Sequence, residues 1–156
     1  MPAPANAKPA TERELVITRI FDAPRELVFK LWTDPQHMAR WWGPKWCPAV
    51  SVEMDVRPGG RWRNCLKSVE TGADLWHGGV FREVTPPERL VFTFAWEEEG
   101  ERGMENLVTI TFAEQGGKTL MTFRQTPFQS HAERDGHRDG WTSVFDRLDE
   151  HLLREK

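Results

Sequence analysis

Residues 140–153 have the sequence GWTSVFDRLDEHLL, in which the apolar residues recur with the period of an α-helix. They fall at positions i, i+3, i+4, i+7 and i+11, and they are Trp141, Val144, Phe145, Leu148 and Leu152. A stripe of this kind is typical of a helix that buries one side against a large apolar surface. We therefore predict a long C-terminal helix, from near Arg138 to Leu153, that covers the core of the fold.

Six segments upstream of this helix alternate apolar and polar residues with the period of two that is typical of β-strands. They are residues 50–56, 61–68, 75–84, 90–96, 108–112 and 119–126. Turn-forming residues such as Gly116 and Gly117 separate them, which predicts an antiparallel meander. The pair Gly78 and Gly79 inside the third segment suggests a bulge or a bend. Residues 129–139 fit either a loop or the exposed first turns of the long helix.

A further strand and two short helices precede the meander. Residues 13–21 have the β-branched content of a strand, and Asp22 followed by Pro24 is a helix start. Met38, Trp41 and Trp42 have helical spacing and predict the second short helix. The predicted fold class is α+β, with a curved antiparallel sheet of six to seven strands wrapped round the C-terminal helix. Such a sheet seldom closes on one helix without a gap, so we expect a cavity between them.

The composition excludes several classes of protein. The chain has 156 residues, 38% of them hydrophobic, and a net charge of −3, so we expect one globular domain and no nucleic-acid partner. Residues 1–11 are predicted to be a disordered tail and residues 12–156 the single domain. No apolar run could span a membrane, and no secretory signal is visible. With only two cysteines, we expect a cytoplasmic location.

The aromatic content is unusual, with eight Trp, nine Phe and no Tyr. These rings either fill a solid core or line a cavity that holds a flat apolar molecule. We favour a cavity, because solid cores prefer Leu, Ile and Val that interlock without voids. The candidate ligand-binding residues, which include two amides on the same strand faces, are Trp32, Met38, Trp41, Trp42, Trp62, Asn64, Trp76, Phe92, Phe94, Trp96, Phe123, Gln125, Trp141 and Phe145. The predicted entrance lies between residues 41–48 and 128–140.

Motifs of catalysis and metal binding are missing from the sequence. It contains no HExxH, HxH, CxxC or GxSxG pattern, no P-loop and no dinucleotide fingerprint. We therefore predict no catalytic residue, no metal ion and no cofactor. Inside a cavity His77 or Glu83 could act as a general acid or base, but nothing in the sequence distinguishes either of them. The charged surroundings of His131 and His137 predict solvated side chains.

Several separated motifs resemble one protein family and occur in the order that the family has. They are ITRIFDAPRELVFKLWTDPQHMARWWGP at 17–44, VEMDVRPGGRWR at 52–63, GVFREVTPPERLVFTFAW at 79–96 and the C-terminal helix itself. The family is related to the C-terminal domain of the activator of the ninety-kilodalton heat-shock chaperone's ATPase. It falls within the START-like, birch-pollen-allergen-like superfamily, also called SRPBCC. The resemblance spans residues 13–153 and implies a helix-grip domain with a hydrophobic cavity between the sheet and the long helix.

The resemblance implies several functions rather than one, since the superfamily includes lipid carriers, polyketide cyclases and chaperone regulators. Our first hypothesis is non-enzymatic binding of a small hydrophobic or aromatic molecule in the cavity. The alternatives are a cyclase- or hydrolase-like enzyme that uses the same cavity, and a chaperone-related interaction module. The sequence lacks the additional N-terminal domain of the eukaryotic activators, which makes direct activation of a chaperone the weaker expectation. The sequence leaves the oligomeric state undecided and is compatible with a homodimer.

Overall fold

Strands and helices follow one another in the predicted order, with the long helix last. The computed structural model describes residues 13–98 and 101–155, and the tail predicted at residues 1–11 lies outside the described residues. The elements in this part of the chain are β1 (Leu15–Phe21), α1 (Arg25–Thr33), α2 (Pro35–Met38), β2 (Ala49–Met54), β3 (Arg61–Lys67), β4 (Asp74–Thr85), β5 (Arg89–Glu98), β6 (Glu101–Arg102), β7 (Asn106–Gln115), β8 (Lys118–Thr126) and α3 (His131–Glu155).

The strands form one antiparallel, open sheet in the order β1-β8-β7-β5-β4-β3-β2, and the two-residue β6 pairs with β5. The predicted meander is confirmed, because each strand from β2 onward pairs with the next long strand along the chain. β1 joins this order by pairing with β8, from Leu15 opposite Gln125 to Phe21 opposite Thr119. The chain between β1 and β2 must therefore pass from one edge of the sheet to the other. The segment that makes this passage contains α1 and α2.

The inner face of the sheet packs against α3, as its apolar stripe predicts. The five stripe residues are all buried. The ring of Phe123 on β8 lies 4.6 Å from that of Trp141 and 5.4 Å from that of Phe145, measured between centroids. This architecture of a curved sheet and one long helix is the expected helix-grip fold. No helix among the described residues is both long and apolar enough to cross a membrane.

The long helix begins at His131, seven residues before the predicted start. Its first turn is stabilised by a reciprocal pair of side chains in the sequence Ser130-His131-Ala132-Glu133. The hydroxyl of Ser130 accepts a hydrogen bond from the backbone N–H of Glu133 at 3.1 Å. The Glu133 carboxylate in turn accepts one from the N–H of Gln129 at 2.9 Å. This arrangement resembles a capping box, which satisfies N–H groups that a helix start leaves free. Residues 131–139 are therefore the first turns of the helix and not a loop.

The glycines in β4 mark a close approach rather than a bulge. Gly78 and Phe81 keep one register against β5, and the register shift follows, between Phe81 and Glu83. A side chain at Gly79 would collide with the backbone oxygen of Thr93. That oxygen accepts a hydrogen bond from the indole N–H of Trp62 at 3.0 Å. A glycine thus fits here because the neighbouring strand lies too close for a Cβ atom.

Candidate functional site

A cavity of about 240 Å³ lies between the sheet and α3. Its walls come from the loop after α2, from β3 to β5 and from one side of α3. The residues that line it are Trp42, Gly43, Pro44, Trp46, Cys47, Leu66, Leu75, His77, Phe94, Trp96, Gly136, His137, Gly140, Trp141 and Val144. None of these described lining residues is Lys, Arg, Asp or Glu. The polar side-chain groups of the wall are two imidazoles, the indole N–H groups and the thiol of Cys47.

Local periodicity brings these side chains to one place. Leu75 and His77 are two residues apart on β4, as are Phe94 and Trp96 on β5, so each pair faces the same side of the sheet. On α3 the lining positions follow one another at intervals of one or three residues and form a single stripe, made of Gly136, His137, Gly140, Trp141 and Val144.

Two glycines on α3 create part of the open space. A Cβ atom placed on Gly136 or on Gly140 would have no neighbouring heavy atom within 4 Å. Larger residues at these two positions would therefore project into open space instead of colliding with the sheet. The helix keeps its regular backbone here, although glycine costs roughly 1 kcal/mol relative to alanine in a helix interior. The cavity thus depends on the absence of two side chains as well as on the rings that surround it.

Two hydrogen bonds between indole and imidazole rings fix the polar groups of the cavity. The Nε1–H of Trp42 donates to Nε2 of His77 at 2.8 Å, and that of Trp96 donates to Nε2 of His137 at 3.2 Å. An indole nitrogen can only donate, so each imidazole must offer a lone pair at Nε2 and carry its proton on Nδ1. The Nδ1–H of His77 then faces the carbonyl oxygen of Leu75 at 3.3 Å.

Both histidines are uncharged at neutral pH. Burial lowers the pKa of His77 from 6.5 to about 4, because the desolvated imidazolium is disfavoured. Burial also lowers the pKa of His137, although the negative charge of Glu133 partly opposes that effect. The sequence prediction that His137 is a solvated side chain is therefore wrong. The charged segment around it is a helix, and this position faces inward.

Four of the predicted site residues line the cavity together, namely Trp42, Phe94, Trp96 and Trp141. Most of the others are core residues packed beside it. Four of these core residues border a second gap of only about 10 Å³, which leaves no room for a ligand. They are Trp32, Met38, Trp62 and Phe92. Trp41 is buried and donates to the backbone oxygen of Leu31 at 3.1 Å. Phe123 and Phe145 are fully buried against Trp141.

The two predicted amides are bound by protein groups and do not line the cavity. Gln125 donates to Asn106 Oδ1 at 2.9 Å and accepts from the indole of Trp141 at 2.8 Å. The Asn64 oxygen accepts from the backbone N–H of Glu53 at 3.3 Å. With the Asn64 amide turned over, its nitrogen donates to the backbone oxygen of Arg63 at 2.9 Å, and its oxygen lies 3.1 Å from Trp42 Nε1 and shares that N–H with His77. In either orientation a protein group takes the place that the sequence analysis gave to a ligand.

Trp76 lies on the outer face of the sheet, and its place among the predicted site residues is a correction. His77 faces the cavity, so its neighbour on β4 must face the other way. There the guanidinium of Arg63 stacks on the Trp76 ring at 3.9 Å, and Arg63 also forms a bidentate pair with Glu97 at 2.8 Å. The alternation along β4 predicts that Trp76 and His77 face opposite sides of the sheet. The sequence does not say which of these two sides is the inner one.

The ligand-binding residues named from the sequence include neither His77 and His137 nor the two glycines of α3. The sequence analysis placed His77 in the cavity only as a possible acid or base, and it placed Gly136, His137 and Gly140 only within the predicted entrance segment 128–140. The helical spacing could have identified His137 as an inward-facing residue. His137, Trp141 and Val144 are spaced i, i+4 and i+7, so His137 extends the apolar stripe by one turn. The two segments that were predicted to form the entrance both contribute lining residues. Trp46 in the first segment is 45% exposed, which places it at the rim.

Comparisons with known proteins agree with this architecture. The family model "Activator of Hsp90 ATPase homolog 1-like protein" matches residues 22–153. The AHSA1 protein from Silicibacter pomeroyi is similar in structure, with a TM-score of 0.82 and 25% identity over 92% of this chain and 99% of that one. A protein from Mycobacterium smegmatis has a TM-score of 0.80 and 25% identity, covering 94% and 95% of the two chains.

A third structure, solved by NMR for a protein from Arthrobacter aurescens, is 22% identical and supports the fold alone. Its TM-score is 0.81, and the match covers 92% of this chain and 88% of that one. No curated protein matches the chain. A fold of this kind is consistent with ligand binding or with a chaperone-related role.

Proposed function

This chain belongs to the family of Activator of Hsp90 ATPase homolog 1-like proteins, and we propose that it binds a small, uncharged aromatic molecule in the cavity beside α3 without reacting with it. The observation that carries the proposal is the aromatic wall with two neutral imidazoles and no charged side chain. The cytoplasmic location and the single domain over residues 12–156 remain predictions from the sequence, and a homodimer remains one of the alternatives that the sequence allows.

The size and chemistry of the cavity define the ligand class. A dry cavity of about 150 Å³ is large enough for benzene, so the 240 Å³ here corresponds to a molecule of one or two fused rings. The rings of Trp42, Phe94, Trp96 and Trp141 offer faces and edges for stacking against such a ligand. A carboxylate would lose its hydration without meeting a cation, which disfavours fatty acids and aromatic acids.

The same geometry argues against the enzyme alternative. A buried histidine with a strongly lowered pKa is a common feature of active sites, and His77 has one. However, its Nε2 lone pair already accepts from Trp42, and its Nδ1 faces the Leu75 carbonyl. A general base needs a free lone pair within reach of the substrate. The shift in the pKa of His77 is therefore explained by burial within the aromatic wall.

A chaperone-related interaction module is the second candidate, favoured by exposed apolar side chains in the cavity wall and beside it. Trp46 is 45%, Val69 69% and Leu75 36% exposed, and the backbone N–H of Val69 bonds to the Trp46 oxygen at 3.1 Å. Binding to a purified ninety-kilodalton chaperone that is lost in Trp46→Ala, yet unchanged when the cavity is filled, would favour this candidate over ligand binding.

The proposal is tested by isothermal titration with 1-naphthol, which is neutral, and with 1-naphthoate, which is an anion of similar shape. We expect 1-naphthol to bind with a micromolar dissociation constant, about −8 kcal/mol, and 1-naphthoate to bind at least about tenfold more weakly. Gly140→Leu should fill the cavity and abolish binding without lowering the melting temperature, since the substitution also improves helix propensity.

Trp76→Phe is the matched control, because it removes a tryptophan from the outer face and should leave binding unchanged. The proposal fails if a varied panel of flat neutral compounds does not bind to the wild-type protein. It also fails if Gly140→Leu binds them as well as the wild type does, since binding would then be located elsewhere.

A further inference from the structure

Three potential metal ligands meet where α2 packs against the last turns of α3, and none of them lines the cavity. Nδ1 of His37 lies 3.1 Å from Nε2 of His151. The Glu155 carboxylate lies 4.0 Å from His37 Nδ1 and 3.9 Å from His151 Nε2. One ligand atom from each of the three residues lies within 4.8 Å of the other two.

We propose that His37, His151 and Glu155 form a binding site for a divalent transition-metal ion of the zinc type. Zinc takes imidazole nitrogen at about 2.0–2.1 Å in tetrahedral geometry, which puts two such nitrogens about 3.3 Å apart. The separation of 3.1 Å between the two histidine nitrogens is close to that value. A donor set of two imidazoles and one carboxylate suits zinc better than Ca²⁺ or Mg²⁺, which prefer oxygen ligands throughout.

The helices hold two of the three ligands in place. His151 and Glu155 are four residues apart on α3 and therefore lie on the same side of that helix. The His151 side chain is 2% exposed, so its ring has little freedom to turn away. His37 belongs to the short α2, whose start is fixed by Pro35 and by the Asp34 carboxylate, which accepts from the N–H of Gln36 at 2.9 Å.

Glu155 is the adjustable ligand of the site. Its side chain is 33% exposed and it is the last residue of α3, so rotation of its side chain can shorten the distance of about 4 Å to both nitrogens. Three protein ligands leave the fourth tetrahedral position to water, as in zinc sites that keep an open coordination position. The site thus has the minimum set of ligands that a tetrahedral ion needs from a protein.

Two features limit the expected affinity. Nδ1 of His151 is buried and has no hydrogen-bond partner, whereas tight zinc sites usually support the second ring nitrogen of each ligand. In addition, the positive charges of Arg40 and Arg154 act on His151 and oppose a cation. We therefore expect a dissociation constant in the micromolar range, weaker than that of a structural zinc site.

The test uses the untagged, full-length protein after treatment with a chelator. Titration with ZnCl₂ against a fluorescent zinc indicator should show one site per chain, and Co²⁺ should give the visible absorption of tetrahedral coordination. At a free zinc concentration 100 times the dissociation constant, the melting temperature should rise by about 5–10 °C, because the ion binds only the folded state.

Variants locate the site. His37→Gln and Glu155→Gln should each weaken zinc binding at least tenfold, and since both side chains are partly exposed, both variants should fold. His131→Gln, which removes an exposed histidine from the start of α3, is the matched control and should bind zinc as the wild type does. The inference is overturned if the wild type does not bind zinc at 100 µM, roughly the weakest affinity consistent with the micromolar range. It is also overturned if His37→Gln binds zinc as tightly as the control.

Discussion

Hydrogen bonds from tryptophan side chains give the inner face of this protein its order at the level of single residues. The indoles of Trp41 and Trp62 donate to backbone oxygens on other elements, α1 and β5. Those of Trp42, Trp96 and Trp141 donate to side chains that are far away in the sequence. A buried indole that finds an acceptor avoids the cost of desolvation, and its ring is then fixed in one orientation. The rings of Trp42, Trp96 and Trp141 are therefore held in fixed orientations in the cavity wall.

The buried His77 should make stability depend on pH. Its pKa is about 4 in the folded protein against 6.5 when exposed, so the unfolded state takes up the proton first as the pH falls. Stability that is present above pH 6.5 is then lost progressively down to pH 4. By pH 5 the loss from this one group is roughly 2 kcal/mol. Urea unfolding at pH 8 and at pH 5 measures it.

His77→Gln is the informative variant, since the glutamine oxygen can accept the Trp42 hydrogen bond but does not titrate. We expect the wild type to lose about 2 kcal/mol more than His77→Gln between the two pH values, because all other groups titrate in both proteins. Equal losses in both proteins would show that the burial of His77 does not control this part of the pH dependence.

At the level of elements, α3 combines two roles along one stripe. Its C-terminal half, which includes Phe145, Leu148 and Leu152, supplies core residues. Its N-terminal half, with Gly136 and Gly140, borders the cavity. The ring of Phe145 is fully buried and lies within 6.2 Å of the rings of Trp32, Phe123 and Trp141. We therefore expect the second half of α3 to contribute most of what this helix adds to the free energy of unfolding.

Phe145→Ala should lower the free energy of unfolding by about 3–5 kcal/mol, because it removes a buried ring and leaves a void. Leu153→Ala on the same helix is the control. That leucine is 72% exposed, and we expect its removal to change stability by no more than about 0.5 kcal/mol. Chemical denaturation of the two variants gives the comparison. Similar values for both would contradict the placement of Phe145 in the core.

At the level of the whole molecule, α3 holds the loop between α2 and β2 that forms part of the cavity wall. The guanidinium of Arg147 donates to the backbone oxygens of Trp42 at 2.9 Å and Gly43 at 2.7 Å. The N–H of Lys45 donates to the Ser143 hydroxyl at 3.0 Å. The loop is thus fixed to the helix on both sides of Pro44, whereas the next ring, that of Trp46, is 45% exposed at the rim.

This arrangement makes Trp46 the candidate gate. Trp46→Ala should change the association and dissociation rates of 1-naphthol more than it changes the melting temperature, because the ring lines the cavity, is 45% exposed and belongs to a segment that is predicted to form the entrance. Stopped-flow fluorescence together with thermal melts measures both effects. Trp76→Ala, which removes another partly exposed tryptophan whose ring lies on the outer face of the sheet, should leave both rates unchanged. A Trp46→Ala protein with normal rates and a lowered melting temperature would show that this ring only packs the loop.

Much of the fold could be predicted from the sequence, because helix and strand periods are local properties of neighbouring residues. The stripe that begins at Trp141 and the alternation in β2 to β8 were sufficient for the α+β class, the meander and the covering helix. The start of α3 was misplaced because Ser130 and Glu133, which form its cap, lie in a segment with no apolar stripe. The concentration of aromatic rings likewise predicted the inner wall, though not which rings would border open space.

The sequence by itself determined the order of elements, the aromatic inner face and the family resemblance. Only the tertiary structure decided which side chains become partners. His77 meets an indole 35 positions away, and His37 meets His151 across 114 positions. The tertiary structure also decided that Trp76 lies on the outer face of the sheet and that Gln125 is hydrogen-bonded to Asn106 and Trp141. The physical reason is that periodicity assigns a residue to a face, whereas a hydrogen bond or a cavity depends on distances between elements that meet only when the chain has folded.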